Sequence, residues 1–202
     1  MTITWTTWTV RDETLSAAKT VFTTEEGAGR LGGNSIGLFD WETRNVSAPD
    51  GRVLRIVAAP ARYGPEGMSR GAVIGFVLFF EDEPQQAVYV SGDTVWYPGV
   101  EDVAQRFPIQ AAILHLGAAR VKEVGPFHLT MTSAEGVEAA RAFSNAKIVP
   151  VHFEDWAHFS EGRDHIARAF ADAHLEHRLQ WPKRGQTISI DMDGDEKVLR
   201  RA

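Results

Sequence analysis

Residues 111–116 read Ala-Ala-Ile-Leu-His-Leu, an apolar run of strand length broken by a single histidine. A strand with one face in water alternates apolar and polar side chains, so a run of this kind points to a strand covered on both faces, as in sheets flanked by helices. The surrounding pattern supplies such a sheet. Thr20–Thr24 reads as a short buried strand, followed by a Gly-rich helix or turn over 25–33. Strands are predicted near 44–46 and over 53–59, joined by the turn residues Pro49-Asp50-Gly51. A hairpin is predicted from 72–80 and 86–90, bent at Glu81-Asp82-Glu83-Pro84. Helices are predicted over 99–107, over 134–144 with Thr132 or Ser133 as cap, and over 161–174 with Ser160 as cap. Lys147–His152 reads as a strand, and Thr187–Ile190 as the last one. Strands alternating with helices, without internal repeat or low-complexity linker, imply one α/β domain over 14–202. Residues 1–13, with five threonines and two tryptophans and no clear period, stand apart as an atypical segment.

A chain of 202 residues can bury a core without disulfides or structural metal. It contains no cysteine, which excludes thiol catalysis and cysteine-zinc sites and leaves His and carboxylate as metal donors. With 21 Lys and Arg against 27 Asp and Glu, the net charge of −6 argues against non-specific nucleic-acid binding. No stretch of about 18 apolar residues is present, and the start lacks the pattern of a signal peptide, so the expectation is a cytoplasmic protein with no membrane span.

Three apolar runs end in residues suited to metal or acid–base work: 88–94 at Ser91-Gly92-Asp93-Thr94, 148–153 at His152, and 56–65 at Arg62-Tyr63-Gly64-Pro65. Polar groups at strand ends are rigidly placed yet open to a cleft. Asp93 follows a glycine that permits a tight turn, so its carboxylate can face cations, although a turn aspartate accepting backbone N–H groups is the commoner reading. His152 can supply an imidazole nitrogen with Glu154 or Asp155 orienting the other; the alternative is a histidine packed beside Trp156. His128 and His158 lie in predicted loops and are candidates for substrate contact, whereas His115 reads as structural and His165, His174 and His177 as solvated.

Taken in order, Tyr89-Val-Ser-Gly-Asp93-Thr with Trp96, and Val149-Pro-Val-His152-Phe-Glu-Asp-Trp156-Ala-His158-Phe159, resemble the metallo-β-lactamase-fold hydrolases. The resemblance is strongest to the branch related to ascorbate-phosphate lactonase and N-acyl-ethanolamine phospholipase, and it spans about 14–190. It implies an α/β (α+β) sandwich of two mixed β-sheets flanked by helices, with one or two zinc, manganese or iron ions at the sheet edge. Asp93 would be the catalytic carboxylate that bridges two metals, and His152 the last imidazole of the second. The substrate would be a small molecule, with His128 and His158 as substrate-binding residues.

The sequence departs from the pattern of that family in two places. No histidine precedes His115, so the early His- and Asp-rich motif is absent, and Tyr63 stands where a further histidine is expected before Gly64-Pro65. A phenol is a poor substitute for imidazole at a hydrolytic zinc site. The composition of 1–12 suggests a cause. Read one base earlier, the codons for Met1–Thr9 permit His-Asp-His-His-Leu-Asp-Asn-Leu-Asp, a string resembling the absent motif, so an out-of-frame start is one expectation and a genuine, divergent N-terminus the other. The functional expectation is a hydrolase of this family, impaired as written, with the leading strands missing and an exposed sheet edge open to homo-oligomerisation. The alternative is a non-catalytic binding or scaffold pseudoenzyme with the same fold.

Overall fold

The computed structural model describes residues 20–67, 71–183, 189 and 190. The atypical segment 1–13 and the codon-shift expectation attached to it lie outside the described residues. The chain divides into two compact units, Met1–Phe39 and Asp40–Ala202. In the first, β1 (Val21–Thr24) and β2 (Ser35–Leu38) pair in parallel, connected by α1 (Glu25–Leu31). Thr24 caps α1, its hydroxyl accepting from the Gly27 N–H at 3.0 Å. The sequence pattern had left β2 unassigned, because Ser-Ile-Gly-Leu is too short to show alternation.

The second unit is built on a six-stranded mixed sheet in the order β3-β4-β5-β6-β7-β8. Its strands are β3 (Thr43–Ser47), β4 (Val53–Pro60), β5 (Ile74–Phe80), β6 (Ala87–Val90), β7 (Ile109–His115) and β8 (Lys147–Val151). The first four form an antiparallel meander, and β6, β7 and β8 run parallel. The predicted turn at 49–51 closes the β3–β4 hairpin, with Gly51 at φ 88° and the Gly51 N–H bonded to the Ala48 carbonyl at 3.0 Å. The crossovers between parallel strands carry α2 (Pro98–Arg106) and α3 (Ser133–Ala142), and α4 (Arg163–Asp172) follows β8.

One sheet face, through Val77, Tyr89, Ala112, Leu114 and Ile148, packs against Val100 and Val103 of α2, Val137 and Ala140 of α3, and Ile166 and Phe170 of α4. The opposite face holds a smaller cluster, Val90, Ile113 and Val149 with Phe76, Leu78, Val88 and Val151 beside them. Both faces of β7 are therefore buried, as its apolar run requires. Thr132 is the N-cap of α3 and forms a full capping box with Glu135. At the other end of α3, the buried Arg178 guanidinium donates to the carbonyls of Ala140, Phe143 and Ala146. The cap of α4 differs from expectation: the helix starts after Gly162, and the Ser160 hydroxyl instead donates to the Ala118 carbonyl at 2.8 Å. Of the predicted last strand, residues 187 and 188 lie outside the described residues, and Ser189 and Ile190 are not in a strand.

The sheet edges are β3, whose outward positions carry Thr43, Asn45 and Ser47, and β8, which Leu179 partly covers by a parallel bridge at Ile148. No helix among the described residues is long and apolar enough to cross a membrane.

Candidate metal centre

The parallel strands put three chain tips side by side. β6 runs out into Ser91-Gly92-Asp93, β7 ends at His115, and β8 runs out into His152. Because β4 and β6 are both antiparallel to β5, the C-terminal end of β4, which leads to Arg62 and Tyr63, lies on the same edge. It is tied there by the Val95 N–H bonding the Arg62 carbonyl and the Arg62 N–H bonding Thr94 Oγ1, both at 2.9 Å.

Along this edge Asp93 Oδ1 stands 3.5 Å from His152 Nδ1. Asp93 reaches this position because Gly92 turns the chain at φ 59°, where a Cβ would come within 2.5 Å of the Ile74 carbonyl oxygen. His152 itself has φ 59°, a left-handed conformation that costs a non-glycine residue free energy and is often held at functional sites. Its Nδ1 is buried and makes no hydrogen bond among the described residues. Burial lowers the His152 pKa and His158 lowers it further, against the opposing pull of Asp93, so the imidazole is neutral and ligand-competent near pH 7.

His115, read from sequence as structural, is buried beside this pair, its ring centroid 5.4 Å from that of His152. Burial, with a smaller contribution from His152 and against Asp93, pushes its pKa down to about 4. Its backbone N–H bonds Ser91 Oγ at 2.9 Å, which ties the β7 tip to the β6 tip. The sequence signal for His115 was its position at a strand end, masked by the leucines on either side.

The other candidates fall in different surroundings. Phe159 packs edge-on against His152 at 4.7 Å and against His158 at 4.6 Å, and Trp156 lies 5.7 Å from His158. Trp156 therefore packs on His158, and the ring against His152 is that of Phe159 rather than the Trp156 of the alternative reading. Glu154 and Asp155 are exposed, and the carboxylate that faces His152 is that of Asp93. Tyr63 belongs to the apolar cluster of Ala119, Val124, Leu129 and Phe159. His128 Nε2 lies 3.0 Å from Glu135 Oε2, so the histidine is braced by the capping box of α3. His165, His174 and His177 are exposed, as expected.

Two donors that share a tetrahedral ion at about 2.0–2.1 Å stand roughly 3.4 Å apart. The Asp93–His152 spacing and the uncommitted Nδ1 fit two ligands of one divalent ion. Among the described residues, no group of three or more His, Asp or Glu side chains is arranged to hold a metal ion. A separate cavity of about 500 Å³, lined by Trp41, Arg55, Phe79, Glu81 and Phe107 among others, contains none of the candidate residues.

Comparison with known proteins agrees with this architecture. Residues 4–153 match the model of the beta-lactamase superfamily domain. The UPF0173 protein YddR of Bacillus subtilis (strain 168) is 26% identical over 120 residues, covering 59% of this chain and 46% of that protein. A UPF0173 metal-dependent hydrolase of Methylacidiphilum infernorum (isolate V4) is 25% identical over 135 residues, covering 67% and 54%. The chain thus spans about half the length of these curated relatives. Among solved structures, the isothiocyanate hydrolase from Delia radicum gut bacteria superposes with a TM-score of 0.70 at 20% identity, over 90% of this chain and 80% of that one. A possible metal-dependent hydrolase from Veillonella parvula DSM 2008 gives 0.69 at 21% identity, over 86% and 68%. These likenesses carry the fold, and the match of the domain model over most of the chain carries the family: the protein has a metallo-β-lactamase-like fold and belongs to the beta-lactamase superfamily.

Proposed function

We propose that the protein is a metal-dependent hydrolase of small molecules, acting in the cytoplasm, in which Asp93 and His152 hold a divalent ion, zinc, manganese or iron. The observation that carries this reading is the 3.5 Å approach of Asp93 Oδ1 to a buried His152 Nδ1 that makes no hydrogen bond. An ion bound there would polarise a substrate oxygen and make water a competent nucleophile near neutral pH. The chain's own residues do the rest. Gly92 and the left-handed backbone of His152 aim the two donors, His115 packs beneath them as a neutral ring, and Phe159 shields one side from water. His158, between Trp156 and Phe159, and His128, paired with Glu135, are the residues proposed to contact substrate.

With two donors in place of a full set, the reading includes weak metal binding and slow turnover. A second reading, a binding protein of the same fold without catalysis, is favoured by the absence of a three-ligand cluster among the described residues. Metal content separates them. Purified protein dialysed against zinc or manganese is expected to retain up to one ion per chain, with loss in Asp93→Ala and in His152→Ala and with measurable phosphodiester or lactone hydrolysis. Retention equal in all three proteins would refute the assignment of these ligands, and bound metal without turnover would favour the binding protein.

A further inference from the structure

Arg62 is fixed at the same strand edge by its backbone and presents a guanidinium with little to hold. Its N–H and carbonyl are spent on Thr94 Oγ1 and the Val95 N–H, so the residue is pinned to the segment that follows Asp93. The guanidinium carbon stacks 4.5 Å from the centroid of the Tyr97 ring. Tyr97 is in turn seated by Gly99, where a Cβ would come within 2.4 Å of the Tyr97 hydroxyl oxygen, so this platform depends on a glycine. Arg62 Nε is buried and has no hydrogen-bond partner among the described residues. Among the described residues the carboxylate paired with it is that of Glu66, whose Oε2 lies 3.9 Å from Nη1 on a side chain that is 93% exposed, a contact that solvent weakens. A buried guanidinium N–H without an acceptor is costly, and the planar donor fork of arginine matches an oxyanion in two-point contact.

We propose that Arg62, stacked on Tyr97 beside the segment carrying Asp93, binds an oxyanion, a carboxylate or a phosphate ester, on the substrate. The oxyanion site stands on Arg62 alone; that its occupant is a substrate rests on the hydrolase reading. An oxyanion held there engages the Nη donors of the part-exposed side chain and gains from the fixed orientation of the guanidinium, whose stacking limits the freedom lost on binding. The site selects for anionic substrates and places their charged group along the same sheet edge as the Asp93–His152 pair.

The test is titration of the full chain with inorganic phosphate and, separately, acetate at constant ionic strength, followed by calorimetry and amide NMR shifts. Saturable binding of at least one anion is expected, weakened about tenfold or more in Arg62→Gln and less in Arg62→Lys, which keeps the charge and loses the fork. Gly99→Ala, which displaces the Tyr97 platform, is expected to weaken it as well. Arg52→Gln, at an exposed ion pair on the far hairpin, is expected to leave it unchanged. Phosphate binding alone would mark phosphate esters as the class, and acetate binding would extend it to carboxylates. Failure of both anions to bind, or equal binding by folded Arg62→Gln, would overturn the proposal. Zinc titration of wild type and Arg62→Gln keeps the two readings apart: unchanged zinc binding with lost anion binding in Arg62→Gln supports the site, whereas anion binding by the wild type without zinc binding removes the hydrolase reading and leaves the oxyanion site standing.

Discussion

The carbonyl oxygen of His152 lies 2.5 Å from the point a Cβ on Gly117 would occupy. Gly117 follows the β7 tip at φ 93°, and its own carbonyl accepts the N–H groups of Ser160 and Glu161 at 3.0 and 3.2 Å. The left-handed turn at His152 is thus wedged against a glycine on the neighbouring strand tip, and the loop carrying His158 is tied to the same residue. This contact, together with the parallel pairing of β7 and β8, sets where the His152 imidazole stands.

Gly117→Ala is expected to destabilise the fold by about 1–3 kcal/mol, from the strained backbone and the clash with the His152 carbonyl. Thermal unfolding should show a fall in Tm of several degrees, and zinc retention should fall with it. A variant with wild-type Tm and metal content would show that the close approach does not constrain His152.

Tyr63→His is expected to raise metal affinity by about tenfold or more, since a nitrogen donor at the end of β4 adds a ligand on the edge that carries Asp93 and His152. Metal content of the purified variant, beside wild type, measures this; equal content in both would sink the idea that position 63 can serve the metal.

The His128–Glu135 pair makes stability depend on pH in a defined window. Hydrogen bonding to Glu135 raises the His128 pKa against the effect of burial, so its contribution is complete below the ordinary value of 6.5 and is lost as pH rises through the raised one. For Glu135, burial raises the pKa, but His128 and the Thr132 N–H and hydroxyl outweigh it, so the net shift is down. Its contribution is complete above 4.5 and is lost as pH falls through the lowered value. The pair therefore stabilises most between 4.5 and 6.5. Both side chains are partly exposed, 31% and 23%, which limits the effect to about 0.5–1 kcal/mol. Glu135→Gln keeps a capping residue and loses the charge. Urea unfolding at pH 5.5 and 8.5 should show the variant closer to wild type at the higher pH.

Arg178→Met is expected to cost about 2–4 kcal/mol, because the carbonyls of Ala140, Phe143 and Ala146 lose their shared donor in a buried setting. Burial lowers the Arg178 pKa, but arginine stays charged at any working pH, so the loss should be the same at pH 6 and pH 8. Denaturant midpoints at the two values check both claims.

Much of the architecture was legible in the sequence because it is local. The strands at β4, β5, β6 and β8 follow from apolar runs between turn residues, β3 from the Pro49-Asp50-Gly51 turn that joins it to β4, and α3 from its Thr132 or Ser133 cap and its Val137 and Ala140 stripe. The shift of the α4 start from Ser160 to Gly162 was not legible, since a serine reads as a cap unless its hydroxyl is drawn away, here by the Ala118 carbonyl across the fold. Asp93 and His152 stood out because each ends an apolar run. His115 did not, because its place beside them depends on strand order.

What the sequence by itself determined is the set of strand tips and the donors each carries, since side-chain chemistry and hydrophobic period are properties of short segments. Which tips meet was decided only by tertiary structure. The parallel pairing of β6, β7 and β8, and the two antiparallel steps that turn β4 the same way, bring residues 62, 93, 115 and 152 to one edge from positions up to 90 apart in the chain. Strand order arises from burial of two sheet faces at once, a condition on the whole chain that no local window contains.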